Sequence, residues 1–177
     1  MNNSIESLLE DDHGSLGQLL AQIDEELAKQ NLARAFELLD LFWARLAVHI
    51  RAENLHLFPA LINASSSFFP RKDGLPTFEE AQGLLLRLRS DHDFFMKELA
   101  QIIKVLRNIV AVQSPSIEEL EELRPRLTVI RVRLETHNRL EEDQLYKWPG
   151  LVLDKASLEN LRQHLQYELE NLPPRFA

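Results

Sequence analysis

Apolar residues recur every three or four positions through four long stretches of this chain, which is the pattern of amphipathic helices. Only five Gly and eight Pro interrupt a sequence rich in Leu, Glu, Ala and Arg, and alternating strand patterns are missing. We therefore predict an all-α protein. Three of its helices are expected over residues 4–29, 32–58 and 78–112, and a fourth is expected between a Ser116 cap and a stop at Pro149 and Gly150.

These helices are expected to pair as two hairpins. Residues 1–62 and 78–149 form the hairpins, and the Ser-, Pro- and Gly-containing stretch 63–77 is the loop that joins them. Together they predict an up-and-down antiparallel four-helix bundle over residues 1–150. The remaining residues, 151–177, are expected to form an extension with one short helix that packs on the bundle.

Each predicted helix carries one histidine inside its apolar stripe. Residues on antiparallel neighbours lie at the same height when the turn falls midway between them. Asn31, in the first predicted turn, is midway between His13 and His49, and the second turn, "QSPS", is midway between His92 and His137. The four imidazoles are therefore predicted to meet at one level of the bundle.

Two glutamates join this set, because Glu53 follows His49 by four residues and Glu141 follows His137 by four. That spacing puts each pair about 6 Å apart on one helix face. The chain has no cysteine, so a metal must be held by imidazole and carboxylate. Four neutral imidazoles and two carboxylates suit a pair of divalent or trivalent ions, and burying the carboxylates without a cation would be costly.

Three further residues are candidates for ligands or for groups that hydrogen-bond to ligands: His56, Glu142 and Glu10. On an ideal helix His56 falls within about 60° of His49 and Glu53, although about 10 Å along the axis from His49. Glu142 is about 140° round from His137, which favours a role beside the ligands or in solvent. We expect Asp12 and Asp91 to face solvent.

The net charge of −8 argues against nucleic acid or an anionic membrane as partner. The first residues lack the basic start and apolar run of a signal peptide, and no apolar stretch is long enough to span a bilayer, so we expect a cytoplasmic protein. The segment "LLDLFWARLAVHI" is apolar over more than one stripe, which indicates cover by the C-terminal helix or a homodimer contact.

In order and spacing, residues 8–149 resemble the hemerythrin-like cation-binding domain, or HHE domain. The residues that carry the likeness are His13, His49-x-x-x-Glu53 closing in "LFP", His92, and His137-x-x-x-Glu141-Glu142. The resemblance implies two iron ions in a non-haem centre, bridged by two carboxylates and an oxo or hydroxo group. It also implies binding of O₂ or another small diatomic or peroxide, or a role in iron handling.

Two departures from the oxygen-carrying members of the family favour sensing, iron handling or redox chemistry over reversible O₂ carriage. Met96 stands where those carriers have a second histidine on the third helix, and Glu141 and Glu142 stand near their final aspartate. The leading hypothesis is a non-catalytic metal-binding protein. The alternatives are a di-iron oxidase or peroxidase and a metal-free helical interaction domain. Zinc or manganese could occupy the same ligands.

Overall fold

The computed structural model describes residues 4–68, 76–112 and 117–176, and no residue in those ranges belongs to a strand. Its helical elements, in chain order, are α1 (Ile5–Ala28), α2 (Leu32–Ala52), a π-helical turn (Glu53–Leu57), α3 (Phe58–Phe68), α4 (Phe78–Val112), α5 (Ile117–Asp143), a 3₁₀ turn (Leu145–Lys147), α6 (Trp148–Val152), α7 (Lys155–Glu170) and a last 3₁₀ turn (Pro174–Phe176). The predicted all-α class is confirmed. None of these helices has both the length and the apolar character needed to span a bilayer.

The four long helices form a closed ring of contacts. Helix α1 packs on α2, α2 on α4, α4 on α5, and α5 returns to α1. This arrangement confirms the predicted up-and-down four-helix bundle. Helix α7 lies across α2 and α1, so the wide apolar face of α2 is covered by a segment of the same chain.

The first hairpin begins and turns where its capping residues predict. Ser4 Oγ accepts a hydrogen bond from the Ser7 backbone N–H at 3.1 Å, which satisfies one free donor at the start of α1. Gln30 adopts the left-handed conformation with a φ of 59°, and Asn31 then caps α2. The second predicted turn, with Ser116, and residues 69–75 of the predicted loop lie outside the described residues.

The second predicted helix does not end at Phe58 and Pro59, as the sequence suggested. Instead the chain passes through the π-helical turn, in which the Phe58 N–H donates to the Glu53 carbonyl, and continues as α3 to Phe68. A proline ring crowds the preceding turn of an α-helix and lacks an N–H for it. A wider turn just before Pro59 accommodates both defects, so the helix continues.

The fourth predicted helix ends earlier than expected, at Asp143 rather than near Trp148. Gln144 leaves the helical region, with φ −124° and ψ −67°, and the chain makes the 3₁₀ turn before α6 begins. Pro149 sits in the first turn of α6, where its missing N–H costs no hydrogen bond. Pro149 and Gly150 therefore lie inside a short helix instead of ending a long one.

Two apolar clusters fill the bundle, one on each side of a polar layer. The first fills the end of the bundle at which the Gln30 turn lies, and it includes Leu16, Phe42, Phe95 and Ile130. The second contains side chains from α1, the π-helical turn, α3, α4, the 3₁₀ turn and α7. The buried polar residues between the clusters include all four predicted histidines and both predicted glutamates: His13, His49, Glu53, His92, His137 and Glu141.

Candidate metal centre

The polar layer brings together one imidazole from each long helix, and the imidazoles meet in two pairs. His13 and His49 approach within 3.1 Å through their Nε2 atoms. His92 and His137 do the same, also at 3.1 Å. Each pair comes from one helical hairpin, and every one of the four rings is at least 94% buried.

The two glutamates are fully buried and connect the pairs. Glu53 Oε2 lies 3.6 Å from His49 Nε2 and 3.2 Å from His92 Nε2, so this carboxylate faces one imidazole of each pair. Glu141 does the same from the opposite side. Its Oε2 lies 3.4 Å from His13 Nε2, and its Oε1 lies 3.0 Å from His137 Nε2. Nitrogen and carboxylate oxygen atoms in this arrangement can ligate two neighbouring cations.

Outer hydrogen bonds fix how the rings of the first pair point. The Nδ1–H of His49 donates to Asp12 Oδ2 at 2.9 Å, and the Nδ1–H of His13 donates to Glu142 Oε1 at 2.7 Å. A second charge holds Asp12, because Arg45 donates to its other oxygen at 2.7 Å. An acceptor on Nδ1 selects the tautomer whose Nε2 lone pair is free for a metal.

In the second pair, His137 repeats this pattern and His92 does not. The Nδ1 of His137 lies 3.4 Å from Asp91 Oδ2, and Arg133 donates to the other oxygen of Asp91 at 2.7 Å. The Asn54 side-chain NH2 donates to His92 Nδ1 at 3.3 Å, so this ring lacks the outward Nδ1–H of the other three. The expectation that Asp12 and Asp91 face solvent was wrong. Each aspartate precedes the first histidine of its own hairpin, and its side chain reaches the histidine of the neighbouring helix.

The donor atoms fit a cation in this layer. With both Nδ1 atoms of the first pair donating outward, the Nε2 lone pairs of His13 and His49 face each other across 3.1 Å, which is favourable only with a positive charge between them. One oxygen of each buried carboxylate, Glu53 Oε2 and Glu141 Oε1, accepts no hydrogen bond. Buried carboxylate oxygens without a partner are costly, and a bound cation removes that cost.

The pKa values of the buried groups in this layer also favour a bound cation. Burial alone would raise the pKa of Glu53, but the imidazoles of His49 and His92 lower it to about 2. Burial would lower the pKa of His92, but the nearby carboxylates of Glu141 and Glu53 raise it to about 9. The carboxylates therefore stay ionised at neutral pH, and protons on the imidazoles balance them when no metal does.

Of the three further candidates, only Glu142 touches a predicted ligand, and His56 and Glu10 lie elsewhere. His56 is half-buried against α7, where its ring stacks on His164 at 5.4 Å and its Nε2 lies 3.7 Å from Glu168. His56 points away from the polar layer because the π-helical turn rotates residues after Glu53 away from the direction that an α-helix would give them. Glu142 contacts His13 only from outside, and Glu10 is exposed.

Tyr146 is a member of the layer that the sequence analysis did not find. Its hydroxyl lies 2.9 Å from Glu53 Oε1, 3.0 Å from His13 Nε2 and 3.3 Å from Glu141 Oε2, and the side chain is 98% buried. On a continuous α-helix Tyr146 would point about 140° away from Glu141. The break after Asp143 turns it inward, and the Pro149 that follows is the only sequence signal of that break.

Comparison with known families agrees with this geometry. Residues 4–148 match the model of the hemerythrin HHE cation binding domain. The chain belongs to this family. No curated protein and no solved structure matches it. The family and the buried His and Glu cluster together make this HHE domain a metal-binding protein.

Proposed function

We propose that this HHE domain holds two iron ions and that its function is to respond to O₂, nitric oxide or peroxide, or to handle iron. In this proposal His13 and His49 bind one ion, His92 and His137 bind the other, and Glu53 and Glu141 are shared. The observation that carries the proposal is the position of the two carboxylates. Each one lies within 3.6 Å of an imidazole nitrogen from both pairs.

Iron is proposed because all the donor atoms are imidazole nitrogens and oxygens, with no cysteine thiolate in the chain. When bound, an iron pair would supply one-electron redox chemistry and positions for a small oxygen-containing ligand. Zinc and manganese accept the same donors, so loading with each metal is part of the test.

Sensing or iron handling is favoured over reversible O₂ carriage. Met96 lies one turn after His92, where a further imidazole would be needed, and its side chain packs against the first apolar cluster. Each proposed ion therefore has two imidazoles and the shared carboxylates. Fewer protein ligands leave more of the coordination sphere to exogenous molecules.

The first experiment is anaerobic loading with Fe(II), desalting, elemental analysis, and a visible spectrum before and after air is admitted. Two irons per chain and the charge-transfer bands of an oxo-bridged di-iron(III) pair would support the proposal. Persistence of the bands on repeated cycling would indicate carriage, and decay would indicate redox sensing. Less than one tightly held metal per chain would favour the metal-free interaction domain.

One feature favours a second candidate function, a di-iron oxidase or peroxidase. A cavity of about 410 Å³ beside the centre is lined by Tyr146, Lys147, Lys155, Arg162 and others, so a small substrate could approach the buried layer from this side. Turnover of a reducing substrate with peroxide, measured on the iron-loaded protein, tests this alternative. Oxidation of one equivalent of substrate without further turnover would argue against an enzyme and favour the metal-binding function.

A further inference from the structure

The Tyr146 hydroxyl is surrounded by donor atoms rather than by one hydrogen-bond partner. It lies 3.0 Å from His13 Nε2 and 3.4 Å from His49 Nε2, and both glutamates present an oxygen to it within 3.3 Å. A buried tyrosine needs a single acceptor to satisfy its hydroxyl. Here all four groups near the oxygen are ones that the proposed function assigns to metals.

The separations around this hydroxyl are also those of neighbouring ligands on a shared ion. Two ligands at right angles, each about 2.1 Å from an ion, lie about 3.0 Å apart. The His13 and His49 nitrogens are 3.1 Å apart, Glu141 Oε2 is 3.4 Å from His13, and the phenol oxygen is 2.9–3.4 Å from its four neighbours. These atoms therefore have the spacing of neighbouring ligands on one cation.

The two hairpins correspond to each other, since each carries a histidine on its first helix and a His-x-x-x-Glu on its second, and this correspondence shows that the oxygen is specific to one half of the centre. Phe58 follows His49 by nine residues, and Tyr146 follows His137 by nine. Both rings are buried against an imidazole of the opposite hairpin. Phe58 stacks on His92 at 5.8 Å, and Tyr146 packs on His13 at 5.5 Å. The two positions are equivalent, but only Tyr146 carries an oxygen.

We propose that Tyr146 is an oxygen ligand of the ion held by His13 and His49, so that the two metal positions differ in their protein donors. This inference rests on the proposed function. As the oxygen–metal bond forms, the phenol O–H bond breaks and its proton leaves to solvent. The His13 and His49 ion thus gains an anionic oxygen ligand, whereas Phe58 gives the His92 and His137 ion none.

The experiment uses the full chain loaded with iron and oxidised to Fe(III). The chain has only two tyrosines, and Tyr167 is 71% exposed on α7, so Tyr167→Phe leaves Tyr146 as the sole tyrosine and serves as the matched control. Tyr146→Phe removes one oxygen and keeps the ring. Iron content, the visible spectrum and resonance Raman scattering are measured on the wild type and both variants.

The expected result is a phenolate-to-Fe(III) absorption band with tyrosinate ring vibrations in the wild type and in Tyr167→Phe. Tyr146→Phe should lose both signals while it keeps two irons. Two irons in the wild type without tyrosinate vibrations would overturn the assignment of Tyr146 and leave the di-iron proposal standing. Absence of bound iron would overturn both. If Tyr146→Phe fails to fold, the vibrations of Tyr167→Phe alone decide the question.

Discussion

His49 donates its Nδ1–H to the Asp12 carboxylate at 2.9 Å, from one helix of the first hairpin to the other. The same carboxylate accepts from Arg45, which precedes His49 by one helical turn. Because of this contact the ring of His49 has a fixed tautomer and a fixed direction before any metal arrives.

Replacing Asp12 by Asn should weaken metal binding by about 10- to 100-fold, because the neutral amide neither raises the basicity of the His49 imidazole nor selects its metal-binding tautomer as firmly. Competition with a chelator of known affinity measures the change. Asp11→Asn, at an exposed neighbouring position, is the matched control and should bind metal as the wild type does. Equal affinities for the two variants would contradict a role for the Asp12 contact.

Replacing Glu53 by Gln should remove a shared ligand and lower the iron content from two per chain to one or fewer. It should also abolish most of the rise in melting temperature on metal loading, since a ligand that binds only the folded state stabilises it by mass action. Elemental analysis and thermal denaturation with and without metal measure both effects. Glu135→Gln, exposed on α5, should change neither quantity. A Glu53→Gln protein that holds two irons would exclude the bridging role.

The stability of the metal-free protein should depend on pH in a defined direction. The pKa of His92 is raised to about 9 from 6.5, so its stabilising contribution is complete below pH 6.5 and is lost as the pH rises through 9. The pKa of Glu53 is lowered to about 2 from 4.5, so its contribution is present above pH 4.5 and is lost as the pH falls through 2.

The metal-free protein is therefore expected to be most stable between these limits. Its melting temperature should fall by at least about 4 °C from about pH 6 to about pH 9. Circular dichroism on chelator-treated protein measures this. The metal-loaded protein should fall less over the same range, because bound cations replace the protons. An equal slope for both forms would argue against protons and metals exchanging at one site.

His56→Ala should keep the full iron content and an unchanged visible spectrum, because His56 faces α7 and not the centre. It should reduce stability by about 1 kcal/mol at most through its lost contacts with His164 and Glu168. His49→Ala, one of the predicted ligands, is the comparison and should lose iron. Loss of iron in His56→Ala would show that the π-helical turn rearranges on binding.

The level of the polar layer could be predicted from sequence because helix geometry is regular. A constant rise per residue and a turn at Asn31 fix the heights of His13 and His49, and the same reasoning applies to His92 and His137. The prediction failed where the helices depart from that regularity. His56 lies within the π-helical turn, and Tyr146 lies within the 3₁₀ turn that follows the end of α5, so their directions depend on local breaks that periodicity does not encode.

Asp12 and Asp91 show a second limit. Their neighbours in sequence are polar, and on their own helices they lie at the edge of the apolar stripe. Burial comes from the partner helix, where Arg45 or Arg133 and a histidine one turn later supply the donors. Such a three-residue contact between helices is visible in sequence only once the register of the two hairpins is known.

Each carboxylate of the centre reaches out of its own hairpin: Glu53 meets His92, and Glu141 meets His13. Neither hairpin therefore contains the full donor set for even one ion, although each contains its own pair of imidazoles. A metal ion is therefore bound fully only when both halves of the chain are folded together. If the two hairpins were made as separate polypeptides, the metal would be the agent that reunites them.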